Sequence, residues 1–320
     1  MVVILLASCS PNKSKDNTKD NSNTKIANEL DFDSDSAFSF VEAQVNFGPR
    51  VPGTQSHVQC GDYIIDKLKS YNADTIIVQS FDTENFKGDA MPLRNIMGRY
   101  DVQNPNRVLL VAHWDTRPWA DNDRQFSNRN TPVPGANDGG SGVAVLLEIA
   151  RHLNDSLPKV GVDLLFVDGE DSGRSEGFGN NDDTWCLGTQ YWINHMPYAA
   201  DQLPRYGILL DMVGGLNATF YREYVSERNA PQINDKVWAV AKAAGYGDRF
   251  QNALRGGVID DHVFINRVGI PCIDIIECGH PETGTFSPHW HTLEDNLNNI
   301  NLTSLKAVGQ TVLNTIFIEK

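Results

Sequence analysis

The sequence predicts a three-layer α/β/α sandwich around a central mixed, mostly parallel sheet, and three observations predict it. Short apolar runs rich in Val, Ile and Leu alternate with longer runs of helical spacing. The short runs are continuously apolar, as in strands buried on both faces. Acids, a histidine and glycines stand directly after them, where strands of such a sheet deliver functional groups.

Taken in order, Asp31, Asp33 and Asp35 mimic a calcium loop, but Ser36 stands where that loop needs Gly, so the stretch reads as the cap of a helix near Ser36. A helical run over 57–71 leads to a strand over 74–81 and a second strand over 107–112. The glycine-rich stretch from Gly135 to Gly142 then opens a helix over 141–153, with Asp138 at its N-terminus. Strands follow over 162–167 and 207–212, a helix over 233–244, a strand over 271–276 and a closing helix over 302–318.

The front of the chain reads differently. Residues 2–6 are apolar, and Leu6-Ala7-Ser8-Cys9 resembles a lipobox, in which the cysteine becomes the lipidated N-terminus. Ser10 to Lys25 is polar throughout, with one Pro and no apolar residue, a composition that cannot fold on its own. The expected organisation is a lipoprotein signal segment at 1–9 with Cys9 the lipidation site, a disordered linker at 10–29, and one catalytic domain at 30–320. Ser10 after the cysteine, as in similar bacterial lipoproteins, implies a periplasm-facing, outer-membrane location in the cell envelope. Membrane contact is expected only through the lipid anchor, since no apolar run approaches the roughly 18 residues of a span.

Among 320 residues, 41 acids against 27 bases give a formal charge of −14, which excludes a phosphate backbone as partner. Cys60, Cys186, Cys272 and Cys278 form no C-x-x-C pair and read as buried free thiols. The remaining histidines, His57, His152, His195, His280 and His289, read as surface or satisfied core.

Chemistry gathers at the strand ends. His113, Trp114 and Asp115 follow one strand, Asp168 to Asp171 the next, Asp211 a third, and His291 and Asp295 lie near the C-terminus. Zinc takes histidine nitrogen and carboxylate oxygen and leaves a position open, so Asp138, Asp171 and His291 are the candidate metal ligands. Glu170, next to Asp171, is then the acid/base. A serine hydrolase is excluded by local grammar, because Gly140-Ser141-Gly142 is not a G-x-S-x-G elbow. A relic metal site serving as a binding module would lack a ligand or the base, and none is missing.

These residues carry a resemblance that runs from about Phe47 to the C-terminus. The segments 46–53, Val167-Asp168-Gly169-Glu170-Asp171, Gly256-Gly257-Val258-Ile259-Asp260-Asp261-His262 and 290–296 resemble the zinc-dependent aminopeptidase fold family, and within it the animal-type glutaminyl cyclases and their bacterial relatives. The resemblance implies conversion of N-terminal Gln of peptides or proteins to pyroglutamate with release of ammonia, with one zinc per chain. The alternative it leaves open is a zinc aminopeptidase with two ions, Asp138 bridging, and His113 and Asp211 on the second. His113, Asp115, Asp211 and His262 therefore either stand behind the first ion or serve another. Asp260 before Asp261-His262, and Trp290 before His291, favour the cyclase, where Glu170, Asp211 and Asp260 form a proton-sharing carboxylate cluster. Asp171 is one carbon shorter than the Glu of the animal pattern, and residues 172–183 lack its pocket aromatic. Trp185, Trp119 or Trp114 is expected to supply that wall beside Trp290 and Phe286.

Overall fold

The computed structural model describes residues 30–175 and 181–320. The expected lipidation site Cys9 and the linker lie outside the described residues, as do residues 176–180.

The continuous apolar runs become the middle of the sheet. In β3 (Arg107–His113), β4 (Gly161–Val167), β5 (Gly207–Asp211) and β8 (Cys272–Ile276) every residue is buried. Because successive side chains point to opposite faces, each strand feeds two cores. Leu110, Ala112, Leu164, Phe166, Ile208 and Leu210 pack with residues of α1 (Ser34–Phe47), α2 (Gln55–Ser70), α3 (Gly140–Asp155), α6 (Pro231–Ala243) and α8 (Leu302–Phe317). Leu109, Val111, Leu165, Val167 and Leu209 pack instead with Trp192 of α4 (Leu187–Asn194) and Ile265 of α7 (Asp261–Arg267). The result is the three-layer α/β/α sandwich.

The six-stranded sheet has the order β1-β2-β4-β3-β5-β8. β1 (Thr75–Glu84) and β2 (Ala90–Tyr100) form an antiparallel hairpin, and β2 is antiparallel to β4. β3 pairs in parallel with β4 on one side and β5 on the other, and β5 with β8. The chain thus runs from β3 to β4 on one side and from β5 to β8 on the other, and where the order reverses, between β3 and β5, a crevice opens beyond the carboxyl ends of the strands. A small parallel pair, β6 (Phe220–Arg222) and β7 (Phe250–Leu254), and the short α5 (Tyr224–Asn229) complete the described elements.

Asp33 caps α1, its side chain accepting from the Asp35 and Ser36 amides, as the reading of that acidic run requires. Strand β2 has no counterpart in the apolar pattern, because Pro92, Arg94, Asn95 and Arg99 interrupt it. Arg94 and Arg99 find ion-pair partners in Asp62 and Asp163. One close approach positions the site: a Cβ on Gly142 would lie 2.1 Å from the Leu210 carbonyl oxygen, so only glycine lets α3 sit against the end of β5.

Candidate metal and acid site

Three segments bring Asp138, Asp171 and His291 together. Asp138 precedes α3, Asp171 follows β4, and His291 lies between β8 and α8 with φ of 56°, a left-handed conformation unusual for a residue with a Cβ. His291 Nε2 lies 3.1 Å from Asp171 Oδ1 and 3.8 Å from Asp138 Oδ2. All three are buried, and their donor atoms lie within 4.8 Å of one another.

Each donor is held from behind. Asp295 accepts the Asn137 and Asp138 amides at 2.7 and 3.0 Å, fixing the loop that carries Asp138. Asp115 accepts the Glu170 and Asp171 amides at 3.1 and 3.2 Å. Asp121 Oδ1 lies 3.2 Å from His291 Nδ1, an ion-pair distance without hydrogen-bond geometry, on the side of the ring opposite the nitrogen that faces the carboxylates. Asp171 Oδ2 is buried without a hydrogen-bond partner. One imidazole and two buried carboxylates, one of them with an unpartnered oxygen, fit a divalent cation of zinc's ligand preferences.

A second donor group shares Asp138. His113 Nε2 lies 3.0 Å from Asp138 Oδ1 and 3.2 Å from Asp211 Oδ1, and its Nδ1 lies 3.5 Å from Asp115. Burial opposes a charge on His113, but Asp115, Asp138 and Asp211 outweigh it and raise its pKa well above the usual value.

The acids beside these ligands crowd one another. Glu170 and Asp260, with Cys186, bring donor atoms within 4.8 Å. Burial pushes Glu170 well above the usual carboxylate range, and the negative charges of Asp260 and Asp171 add to it. Asp260 is pushed up to about 6 by burial and then by Asp211. Behind Asp260, Asp261 rises to about 8 from burial and from Asp260. His262 turns away from the candidate ligands: its Nε2 lies 3.1 Å from Glu223 and its Nδ1 3.8 Å from Asp274.

A cavity of about 230 Å³ opens onto this chemistry, floored by Asp138, Glu170, Asp171, Asp211, Asp260 and His291 and walled by Trp185, Phe286 and Trp290. Trp290 stacks on His291 at 3.7 Å between ring centroids, and Phe286 lies 4.6 Å from Trp290. Two expected wall residues stand elsewhere. Trp114 is fully buried, stacked on His57 at 4.3 Å, with its ring N–H donating to the Arg94 carbonyl. The strand that ends at His113 turns this side chain into the inner core. Trp119 does not line the cavity, because its ring is taken by Lys87 at 3.3 Å and Arg117 at 5.1 Å. A larger cavity, about 770 Å³, lies against the far side of the Ser287-Pro288-His289 segment and contains none of the candidate metal ligands.

Several partners escaped the sequence. Arg117, Asp121 and Cys186 touch site residues but sit in no recognisable spacing. His57 is a satisfied core residue, 2.9 Å from Asp168. The four cysteines of the described residues are free and buried.

Fold and site together are those of a zinc-exopeptidase-like enzyme scaffold, with two buried residue groups that could hold an ion and an acid beside them. Residues 95–316 match the model of Peptidase family M28, and the chain belongs to that family. Among solved structures, a Bacteroides thetaiotaomicron glutaminyl cyclase bound to N-acetylhistamine is 49% identical, with a TM-score of 0.87 over 91% of this chain and 99% of that one. A Zn-dependent exopeptidase from Parabacteroides distasonis is 45% identical, with a TM-score of 0.87 over 90% and 99%. A Bos taurus glutaminyl-peptide cyclotransferase is 24% identical over 80% of this chain and 74% of its own length. A Bacillus subtilis aminopeptidase is 27% identical over 68% of this chain, which spans 42% of the aminopeptidase's length.

Proposed function

We propose that this chain is a zinc-dependent glutaminyl-peptide cyclotransferase acting on peptides or proteins with a free N-terminal Gln. The observation that carries the reading is the set of buried acids, Glu170, Asp211 and Asp260, placed beside a three-donor metal set at the floor of an aromatic-walled cavity. The similarity to bacterial and animal cyclases supports it.

Asp138, Asp171 and His291 would hold one zinc, which when bound supplies Lewis-acid polarisation of the substrate's γ-carboxamide. Glu170, kept above the usual carboxylate range, accepts a proton from the substrate's α-ammonium and frees its lone pair. The α-nitrogen attacks the γ-carbon, the bond from that carbon to the amide nitrogen breaks, and Glu170 returns its proton to the departing nitrogen. The α-nitrogen yields two protons in all, ending as the lactam N–H while the leaving group departs as ammonium. Asp260 and Asp211 keep a proton within reach of Glu170 between the two transfers. Trp290, Phe286 and Trp185 enclose the side chain and exclude water, which would otherwise compete as nucleophile.

The second reading, a zinc aminopeptidase, has its own observation: His113, Asp138 and Asp211 form another buried donor group within 4.8 Å, enough for a second ion. The test is product mass with metal content. The purified domain should hold one zinc and convert a Gln-initiated peptide to a product lighter by one ammonia at unchanged length. Two zinc ions per chain and release of free amino acids from Leu- or Ala-initiated peptides at rival rates would establish the aminopeptidase instead.

A further inference from the structure

We infer that Arg117 is a positioning residue that ties the metal ligands to the aromatic wall of the cavity, so that one guanidinium governs both metal affinity and substrate fit. This rests on the metal set of the proposed function. Arg117 is fully buried. Its Nε and Nη2 donate to the two oxygens of Asp121 at 2.8 and 2.6 Å, and Asp121 Oδ1 in turn lies 3.2 Å from His291 Nδ1. Its Nη1 donates to the Asp171 carbonyl at 3.0 Å and to the Gly173 carbonyl at 3.3 Å, and lies 3.4 Å from Asp171 Oδ1. Nη2 also reaches the Ser175 hydroxyl. The guanidinium carbon stands 5.0 Å from the Trp185 ring centroid and 5.1 Å from that of Trp119.

Two of the three candidate ligands and one wall of the cavity therefore converge on a single side chain. The segment that Arg117 grips is also the one against which Trp185 rests, since a Cβ on Gly173 would lie 2.1 Å from the Trp185 ring. A buried guanidinium is costly unless its hydrogen bonds are satisfied, and here a carboxylate, two carbonyls and a hydroxyl answer it. Only arginine can fork onto a carboxylate while presenting a flat face to an indole; lysine keeps the charge and loses both. Through Asp121 the same contact holds a carboxylate 3.2 Å from His291 Nδ1, at ion-pair distance, behind the ring whose Nε2 faces Asp138 and Asp171.

The experiment uses Arg117→Lys and Asp121→Asn, with zinc affinity read by competition against a chromophoric chelator and KM and kcat read at saturating zinc. Asp121→Asn should weaken zinc roughly 10- to 100-fold, the usual cost of losing a group that orients a ligand, and leave KM near wild type. Arg117→Lys should weaken zinc to a similar degree and also raise KM by roughly three- to thirty-fold, the worth of a stacked cation on an indole. Wild-type zinc affinity in Asp121→Asn, or wild-type KM in a folded Arg117→Lys, would overturn the coupling. If Arg117→Lys fails to fold by circular dichroism, Asp121→Asn and Trp185→Ala carry the test: the first must lose zinc affinity alone, the second must raise KM alone. Chelator competition needs no turnover, so a chain that binds zinc but does not cyclise Gln fails the proposed function and not this inference. KM is then read on whichever peptide the wild type turns over.

Discussion

At the scale of single residues, Asp260 separates the two candidate reactions. It is buried and its carboxylate is pushed up to about 6; its Oδ1 caps α7 by accepting the Asp261 amide, while its Oδ2 has no hydrogen-bond partner and is the oxygen suited to share a proton with Glu170. Asp260→Asn removes one charge and one proton site at almost constant volume. In a cyclase kcat should fall by roughly two to four decades, the usual worth of a positioned proton-transfer group, with zinc retained and KM little changed. In a dizinc aminopeptidase the nucleophile is water and the same change should be mild. Steady-state kinetics across pH with metal analysis decide it; a variant with wild-type kcat on a Gln-initiated peptide would remove the carboxylate cluster from the mechanism. That Asp138, Asp171 and His291 come together was legible in the sequence because acids and a histidine cluster around the ends of buried strands and the glycine-rich turn before α3, where the fold itself has little use for them. Arg117 and Asp121 were not, because a helpful arginine follows no spacing rule. Trp114 misled for a related reason: lying next to His113 in sequence says nothing of which face a side chain takes after the strand ends.

At the scale of elements, the site depends on how closely α3 approaches β5. Gly142 lies under the Leu210 carbonyl, one residue before Asp211, and it opens the helix that follows Asp138. Gly142→Ala would put a Cβ 2.1 Å from that oxygen, and backbone cannot rotate away as a flexible side chain can. The helix must shift, at a cost of about 1–3 kcal/mol, and the shift separates Asp138 from Asp211. The expected result is a lower denaturation midpoint together with weakened zinc binding. Gly88→Ala serves as the control, with open space around it and a φ of +83°, and should cost about 1 kcal/mol without touching zinc. Unchanged zinc affinity in Gly142→Ala would show that the α3–β5 spacing does not set the site. Elements with continuous apolar runs were readable because burial on both faces leaves no alternative pattern. Strand β2 was hidden because its arginines and asparagine are paid for by long-range partners, Asp62, Asp163 and the Gly188 carbonyl, that only the folded chain supplies.

At the scale of the whole molecule, a chain of net charge −14 that buries many acids should lose stability as pH rises, and Glu277 offers a clean test away from the metal ligands. It follows β8, lines the 770 Å³ cavity and is only 4% exposed. Burial pushes it from the ordinary glutamate value of 4.5 up to about 7, against the lowering effects of the Thr219 amide and Arg249. Because the folded state holds this proton more tightly than the unfolded chain, its contribution is fully present below pH 4.5. Between pH 4.5 and about 7 the folded state binds more protons than the unfolded one, so stability falls through that window, by about 3 kcal/mol in total at 1.36 kcal/mol per unit. Above about pH 7 both states are ionised and the loss is complete. Glu277→Gln keeps shape and hydrogen bonding but cannot ionise. Its unfolding free energy should therefore fall less steeply across the same window, and the variant should gain on the wild type by about 3 kcal/mol between pH 4 and pH 8.5. Urea unfolding of the metal-loaded proteins at half-unit pH intervals measures both curves. Parallel curves would mean that Glu277 reaches solvent through the cavity and keeps its ordinary affinity for protons, and the pH dependence would then belong to the acids around Asp260 instead.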